Sequence, residues 1–362
     1  MMSLSRHFLI MAVVIFVAAE SDARRDTLTA GQKDRLGKIQ RVLVETVAIT
    51  DQGATDPGPL TDTIVRRMQG LGYTVVTDPT QPYDVVLRVK CEQHKTWEGT
   101  AASGGDADVP DSPSRVWKGP ACQLLYLLDG KKLGWHKEVR TEFLDARQAA
   151  TAAHVDNASA FALNKLIERL EEYHFPVLLA AEWGQVDRLL KRLDESTVSP
   201  ALKAKIIAQL GEMFATEAVP RLLTALKDPD STIAKAAAQA LGNIGQKDSI
   251  SALVSVLQTG KPELQAAAAK GLGQVGALHG DFSIIPPLLD ALKSDHLAVK
   301  TEAAWALGKL PDKRSYEPIY ALYRTLQTSG IDGQGRNTEQ VQKLKEALNW
   351  SLKQVDTFDQ FN

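Results

Sequence analysis

The sequence predicts two domains of different class, a small α+β domain followed by an all-α helical-repeat solenoid. Three observations carry that reading. Four Leu-Gly pairs, Leu210-Gly211, Leu241-Gly242, Leu272-Gly273 and Leu307-Gly308, recur in the second half at spacings of 31, 31 and 35 residues, and self-similarity at such a period marks stacked two-helix units. The first half instead carries short β-branched runs broken by Gly, Pro and Asp, the pattern of strands and turns. At 362 residues the chain is long enough to bury two cores. The expected divisions are a leader over 1–23, an α+β domain over 24–175 and a repeat domain over 176–362.

The leader reading rests on Phe8 to Ala19, twelve apolar residues in a row after a single Arg6. Ser21 and Ala23 stand at the −3 and −1 places for cleavage before Arg24. A charged start, a short apolar run and small residues form the three-part pattern of a secretory signal, and the run falls short of the roughly 20 residues a bilayer span needs. An uncleaved anchor is the alternative; with cleavage, no transmembrane span remains. The expected compartment is therefore periplasmic or secreted. Net charge is −2 overall, and from Phe175 onward 21 basic residues meet 21 acidic ones. Nucleic acid is excluded as the main partner, because phosphate binding needs a cationic excess or a basic stripe.

In the first domain a polar lead, Arg24 to Gly37, precedes a β-branched strand over Arg41–Thr50. Thr61 or Asp62 is placed to cap a helix ending near Leu71, where Gly70 and Gly72 stop it. Tyr73–Thr77 forms a second strand. In Tyr83–Gln93, Val85, Leu87, Val89 and Cys91 alternate with polar residues and define a core face. Gly99–Ser114 reads as an exposed loop or long hairpin tip. Cys122–Leu128 and Lys132–Thr141 then pair across Asp129-Gly130, a hairpin signal. The expected result is a mostly antiparallel sheet with one or two helices. A further helix, with Asp156 or Asn157 as cap, runs from Ala158 to Leu170.

Cys91 and Cys122 are the only cysteines, and an even number in an exported chain points to a disulfide. Two buried free thiols are the alternative, and a metal site from two lone cysteines lacks a partner pair. His94, Trp97, Trp117, Trp135 and His136 gather near the loop and hairpin ends; such a rim either binds a glycan or peptide, or covers the edge of a small core. Glu92 and His94 share a strand face without a third metal ligand in sight. The stretch Leu60–Pro79, continued by Tyr83-Asp-Val-Val-Leu87, resembles segments of small bacterial cell-envelope proteins, and that resemblance implies the envelope as the setting.

In the repeat domain the first, or A, helices centre on Val186–Leu193, Val219–Leu226, Ile250–Leu257, Ile285–Leu292 and Tyr316–Tyr323. Pro220, Pro286 and Pro318 sit near their starts, where a missing N–H costs nothing. The second, or B, helices are Ala-rich and carry the Leu-Gly pairs, so their backbones can approach closely. Gly245 and Gly276 are expected to stop them. The 35-residue step is assigned to the connection Gly276–Phe282, and a Gly/Gln-rich insert, Gln327–Thr338, lies in another connection. A charged last helix, Glu339–Val355, lacks the Leu-Gly signature and reads as a cap.

The A-x-x-A-L-G-x-[IV]-G pattern after a P-x-L-x-x-x-L helix resembles the HEAT-repeat family, in the short form known from phycobilin lyases. The resemblance implies a HEAT-like solenoid whose B helices line the concave face. Relatives include bilin lyases and a di-iron hydroxylase with His-Glu ligand pairs. None of the seven His here is followed by Glu, and no cofactor or catalytic constellation is read from the chain. Three residues before each Leu-Gly glycine stand Ala208, Gln239, Lys270 and Trp305; just after it stand Glu212, Asn243, Gln274 and Lys309. The two ladders are i, i+4 neighbours on one stripe, which gives Gln239, Asn243, Lys270, Gln274, Trp305 and Lys309 as candidate partner-binding residues. An ordinary solvated face, with Trp305 packed, is the alternative. The function expected is a non-catalytic, exported scaffold for a protein or peptide partner in the envelope. A lyase-type or other enzyme of the short-HEAT family, or glycan or ligand binding by the first domain, is the alternative.

Overall fold

The computed structural model describes residues 28–100, 114–328 and 339–359. The leader lies outside the described residues, as do 101–113 of the expected loop and 329–338 of the insert. The chain divides into two compact units after Pro176.

The first unit opens on a helix the sequence reading passed over, α1 (Ala30–Gly37). Thr29 and Gln32 form a capping box: the Thr29 side chain accepts from Gln32 N, and Gln32 Oε1 accepts from Thr29 N at 2.8 Å. Strand β1 (Arg41–Thr50) then leads through the short β2 (Gly53–Thr55) to α2 (Gly58–Gln69). Thr61 does not cap α2, which starts earlier, behind Pro57; its hydroxyl instead lies 2.6 Å from that of Thr46. Strands β3 (Thr74–Val76), β4 (Val85–Thr100), β5 (Ser114–Leu128) and β6 (Lys131–Arg140) follow, then α3 (Ala146–Ala152) and α4 (Ala158–Glu172). Asn157 caps α4 through Ala160 N at 3.0 Å.

The sheet runs β2-β1-β4-β5-β6, with β3 also on β1. The sheet is mostly antiparallel, as expected, but β1 pairs in parallel with both β3 and β4. Parallel neighbours need a crossover, and α2, which packs against β1, supplies it. Helix α4 packs against β4, β5 and β6, burying Ala162, Leu166 and Leu170. Cys91 and Cys122 are direct partners in the antiparallel β4–β5 ladder and are joined by a disulfide, both side chains buried.

After α5 (Phe175–Glu182), the second unit repeats one motif five times. The A helices are α6 (Val186–Leu193), α8 (Val219–Ala225), α10 (Ile250–Thr259), α12 (Ile285–Ala291) and α14 (Tyr316–Thr328). They alternate with the B helices α7 (Pro200–Glu212), α9 (Ser231–Ile244), α11 (Pro262–His279), α13 (Leu297–Lys309) and α15 (Glu339–Asp359). Each B helix stacks on the next, and the Leu-Gly glycines set the spacing. A Cβ on Gly211 would lie 2.7 Å from Ala240 Cα, one on Gly242 2.6 Å from Gly271 Cα, and one on Gly273 2.7 Å from Ala306 Cα. Gly308 instead faces the side chains of Trp350 and Ser351, and the Ser351 hydroxyl donates to Ala304 O at 2.6 Å. Helix α15 therefore enters the stack in register, with Trp350 in the place that Trp305 holds one helix earlier.

Gly245 ends α9 in the left-handed conformation, at φ 73°. Gly276 does not stop α11: the helix continues to His279 and is closed by Gly280 at φ 59°. The 35-residue step thus lengthens a helix rather than a connection. Gly276 is buried inside that helix and packs against Ile284, which leaves no room for a side chain.

Candidate functional site

The B-helix stripe opens into a groove of about 330 Å³ across four successive B helices. Helix α9 contributes Lys235 and Gln239, and α11 contributes Glu263, Ala266, Ala267 and Lys270. From α13 come Ala298, Thr301 and Glu302, and from α15 Gln340 and Lys343. The lining mixes three alanines with long polar and charged side chains.

The six candidate residues divide between this groove and the joints beside it. Gln239 and Lys270 are exposed and line it. Asn243 and Gln274, one helical turn further on, tie α9 to α11, with Gln274 Nε2 donating to Asn243 Oδ1 at 3.1 Å. Trp305 is half-buried and packs against Trp350 in a tilted pair with ring centroids 5.0 Å apart, which is the packing alternative. Lys309, exposed at the end of α13, acts electrostatically on Glu302.

Sequence reasoning missed Lys235, Thr301 and Glu302, although their signal was present. Lys235, Ala266 and Thr301 precede Gln239, Lys270 and Trp305 by four residues, and Glu302 precedes Lys309 by seven. One or two further helical turns along the same stripe reach the groove.

Electrostatics concentrate at Lys270, Glu302 and Lys309. Burial raises the pKa of Glu302, opposed by the charges of Lys270 and Lys309. Although the Lys309 side chain stays accessible to solvent, partial desolvation by its neighbours lowers its pKa; Lys270 adds to that shift and Glu302 opposes it. The unfolded Glu302 carboxyl keeps its ordinary value of 4.5, so folding disfavours its ionised form and costs stability above the raised pKa. Glu302→Gln is accordingly expected to raise the melting temperature at neutral pH. The gain should shrink as pH falls through the raised pKa and vanish below 4.5. Paired thermal melts from neutral to acid pH check this; a gap that does not change with pH contradicts it.

The first unit offers less. Its cleft of about 550 Å³ is lined by Arg35, Tyr83, Asp84 and Asp129 among others, and no tryptophan. Its charges are answered within the unit: Arg35 grips both oxygens of Asp129, Arg41 meets Asp84 at 3.0 Å and Lys38 meets Asp34 at 2.7 Å. Trp97 and Trp117 are ladder partners, their side chains outside the described residues. Trp135 packs against Tyr126 at 5.9 Å between ring centroids. The β4–β5 register shifts between Glu92 and Lys95, and Glu92 pairs with Lys90 while His94 pairs with Asp51. Among the described residues no His, Cys, Asp and Glu cluster is placed to hold a metal ion.

Comparison with known proteins gives the repeats a family. A model described as HEAT repeats matches residues 186–273 and 250–329. No curated protein matches the sequence. Among solved structures, an engineered protein is 23% identical, over 51% of this chain and 84% of that one, with a TM-score of 0.36. A designed armadillo repeat protein in complex with the peptide (KR)4 is 19% identical, over 52% and 94%, with a TM-score of 0.35. The complex of CpcE and CpcF of phycocyanin lyase from Nostoc sp. PCC7120 is 17% identical, over 59% and 96%, with a TM-score of 0.28. Residues 186–329 of the helical unit are HEAT repeats.

Proposed function

We propose that the chain is an exported, non-catalytic scaffold of the bacterial envelope that holds a segment of a partner protein in the B-helix groove. The observation that carries this reading is the groove itself, lined by alanines and by long polar and charged side chains from four successive B helices. Stacked repeats present such extended surfaces because each unit repeats the same exposed stripe. Export is supported by the apolar leader at Phe8–Ala19 and by the disulfide, a bond that persists in oxidising compartments. No helix among the described residues is long and apolar enough to cross a membrane.

The test is affinity purification of the full chain from the envelope fraction of expressing cells, with and without Lys270→Glu. A partner retained by the parent and lost by the variant, together with a mature N-terminus at Arg24, is the expected result. Recovery of the same proteins by both overturns the groove assignment, and retention in the cytoplasm overturns export.

A second reading is an enzyme of the short-HEAT type. It is favoured by the Lys270, Glu302 and Lys309 group, since a carboxyl shifted up beside an amine shifted down suits proton transfer. Turnover of a bilin substrate, abolished by Glu302→Ala, is the result that would establish it.

A further inference from the structure

The turns that join each B helix to the next A helix carry large apolar side chains that the core does not use. Helix α7 closes through Phe214, whose φ of 54° lies in the left-handed region, where a bulky side chain crowds the backbone. One repeat later the same place is filled by Gly245, at φ 73°. The repeat thus has a strain-free solution that the first turn does not take. Phe214 gains little burial in exchange, for it is 66% exposed. Leu278, 65% exposed, lies over Gly245, where a Cβ would stand 2.7 Å from the Leu278 Cδ2. Phe282, 44% exposed, follows at the third turn. Strain and apolar exposure kept together on one edge mark a functional surface rather than a structural one.

Carboxylates rim this edge. Lys247 is taken by Asp281 at 3.4 Å, and a ring nitrogen of His279 lies 2.7 Å from the Gly245 carbonyl. Glu212 holds the Gln209 amide, and the exposed Glu217 and Asp248 meet no cation among the described residues. At the fourth turn the exposed Lys309 and Lys313 reverse the sign and end the acidic stretch. We propose that Phe214, Leu278 and Phe282 form a second docking edge, none of them lining the groove, for a basic segment of a partner protein. Its apolar residues cover the three side chains, and its Lys or Arg residues meet Glu212, Glu217 and Asp248. Packed helices stand roughly 8–10 Å apart, so apolar residues about three apart in an extended segment, at ~3.3 Å each, reach successive turns. A two-fold contact with a second copy would set the same carboxylates against one another, and an anionic lipid surface is repelled by them. A basic segment answers the charge and the apolar edge together.

The experiment selects a random dodecapeptide display library on the full chain and counter-selects it on a Phe214→Gly, Leu278→Ser double variant. Phe214→Gly alone is expected to raise the melting temperature by roughly 2–4 °C, because glycine takes the left-handed conformation without strain. Loss of binding by that variant is then not loss of fold. Peptides retained only by the parent should be net basic, with apolar residues between the charges. Their affinity should fall about tenfold on Phe214→Gly, and again on Glu217→Lys with Asp248→Lys, and stay unchanged on Lys270→Glu in the groove. A lower melting temperature for Phe214→Gly gives Phe214 a structural role and overturns the proposal. Net-acidic or uncharged peptides, or none lost in the counter-selection, overturn the basic partner. So does dimerisation in sedimentation, or binding to phosphatidylglycerol vesicles, that Phe214→Gly abolishes. Lys270→Glu reads only the groove, so failure of this edge and failure of the groove are told apart.

Discussion

Gly273→Ala is expected to destabilise the helical unit by about 3 kcal/mol, the upper end of the usual cost of overpacking a core. The added methyl would stand 2.7 Å from both Cα and Cβ of Ala306. The obstacle includes the backbone of α13, so no side-chain rotation relieves it, and the two helices must separate. Separation is felt beyond one contact, because repeat stability depends on the interfaces between neighbours. Gly31→Ala is the control: it lies in α1 with nothing within 4 Å of its would-be Cβ, and alanine there favours the helix. Urea denaturation of the two variants beside the parent checks the prediction. Equal midpoints for Gly273→Ala and the parent would show that the Leu-Gly pairs do not set the helix spacing.

Loss of the Cys91–Cys122 bond is expected to cost the first unit roughly 3–4 kcal/mol, from the chain entropy of a closed loop of this size. The cysteines are 31 residues apart and directly opposed in the β4–β5 ladder. Cys91→Ala with Cys122→Ala opens the loop without leaving a buried hydroxyl unpaired. Hydrogen exchange at β4 and β5 amides should accelerate by about two orders of magnitude or more if those amides exchange through unfolding of the unit. Unchanged protection would place the stability of the sheet elsewhere.

The repeat register was legible because it is a local, one-dimensional signal: the same glycine is needed wherever one B helix meets the next. Gly276 broke the pattern because its role is tertiary. It makes room for Ile284 inside a helix that Gly280 ends, and the two kinds of glycine look alike in sequence. In the first unit, strand β1 and the core face of β4 were readable from β-branched content and alternation. Their parallel pairing was not drawn, although a strand, a helix and a strand in succession is the order of a parallel crossover. Helix α1 was announced by Thr29 and Gln32 at capping-box spacing, and its charged composition masked it. At the groove the ladder found Gln239 and Lys270 but stopped one helical turn short of Lys235, Thr301 and Glu302. Stacking the helices, rather than reading any one of them, brings these groups together with Lys343 of α15.

The groove is tested most directly by photocrosslinking in living cells from benzoylphenylalanine placed at Gln239, on the exposed stripe of α9, or at Gln258, exposed on the A helix α10. A discrete adduct from the first site, lost when Lys270→Glu is added, with none from the second, is the expected outcome. Equal adducts from both sites, or none from Gln239, contradict a partner held in the B-helix groove.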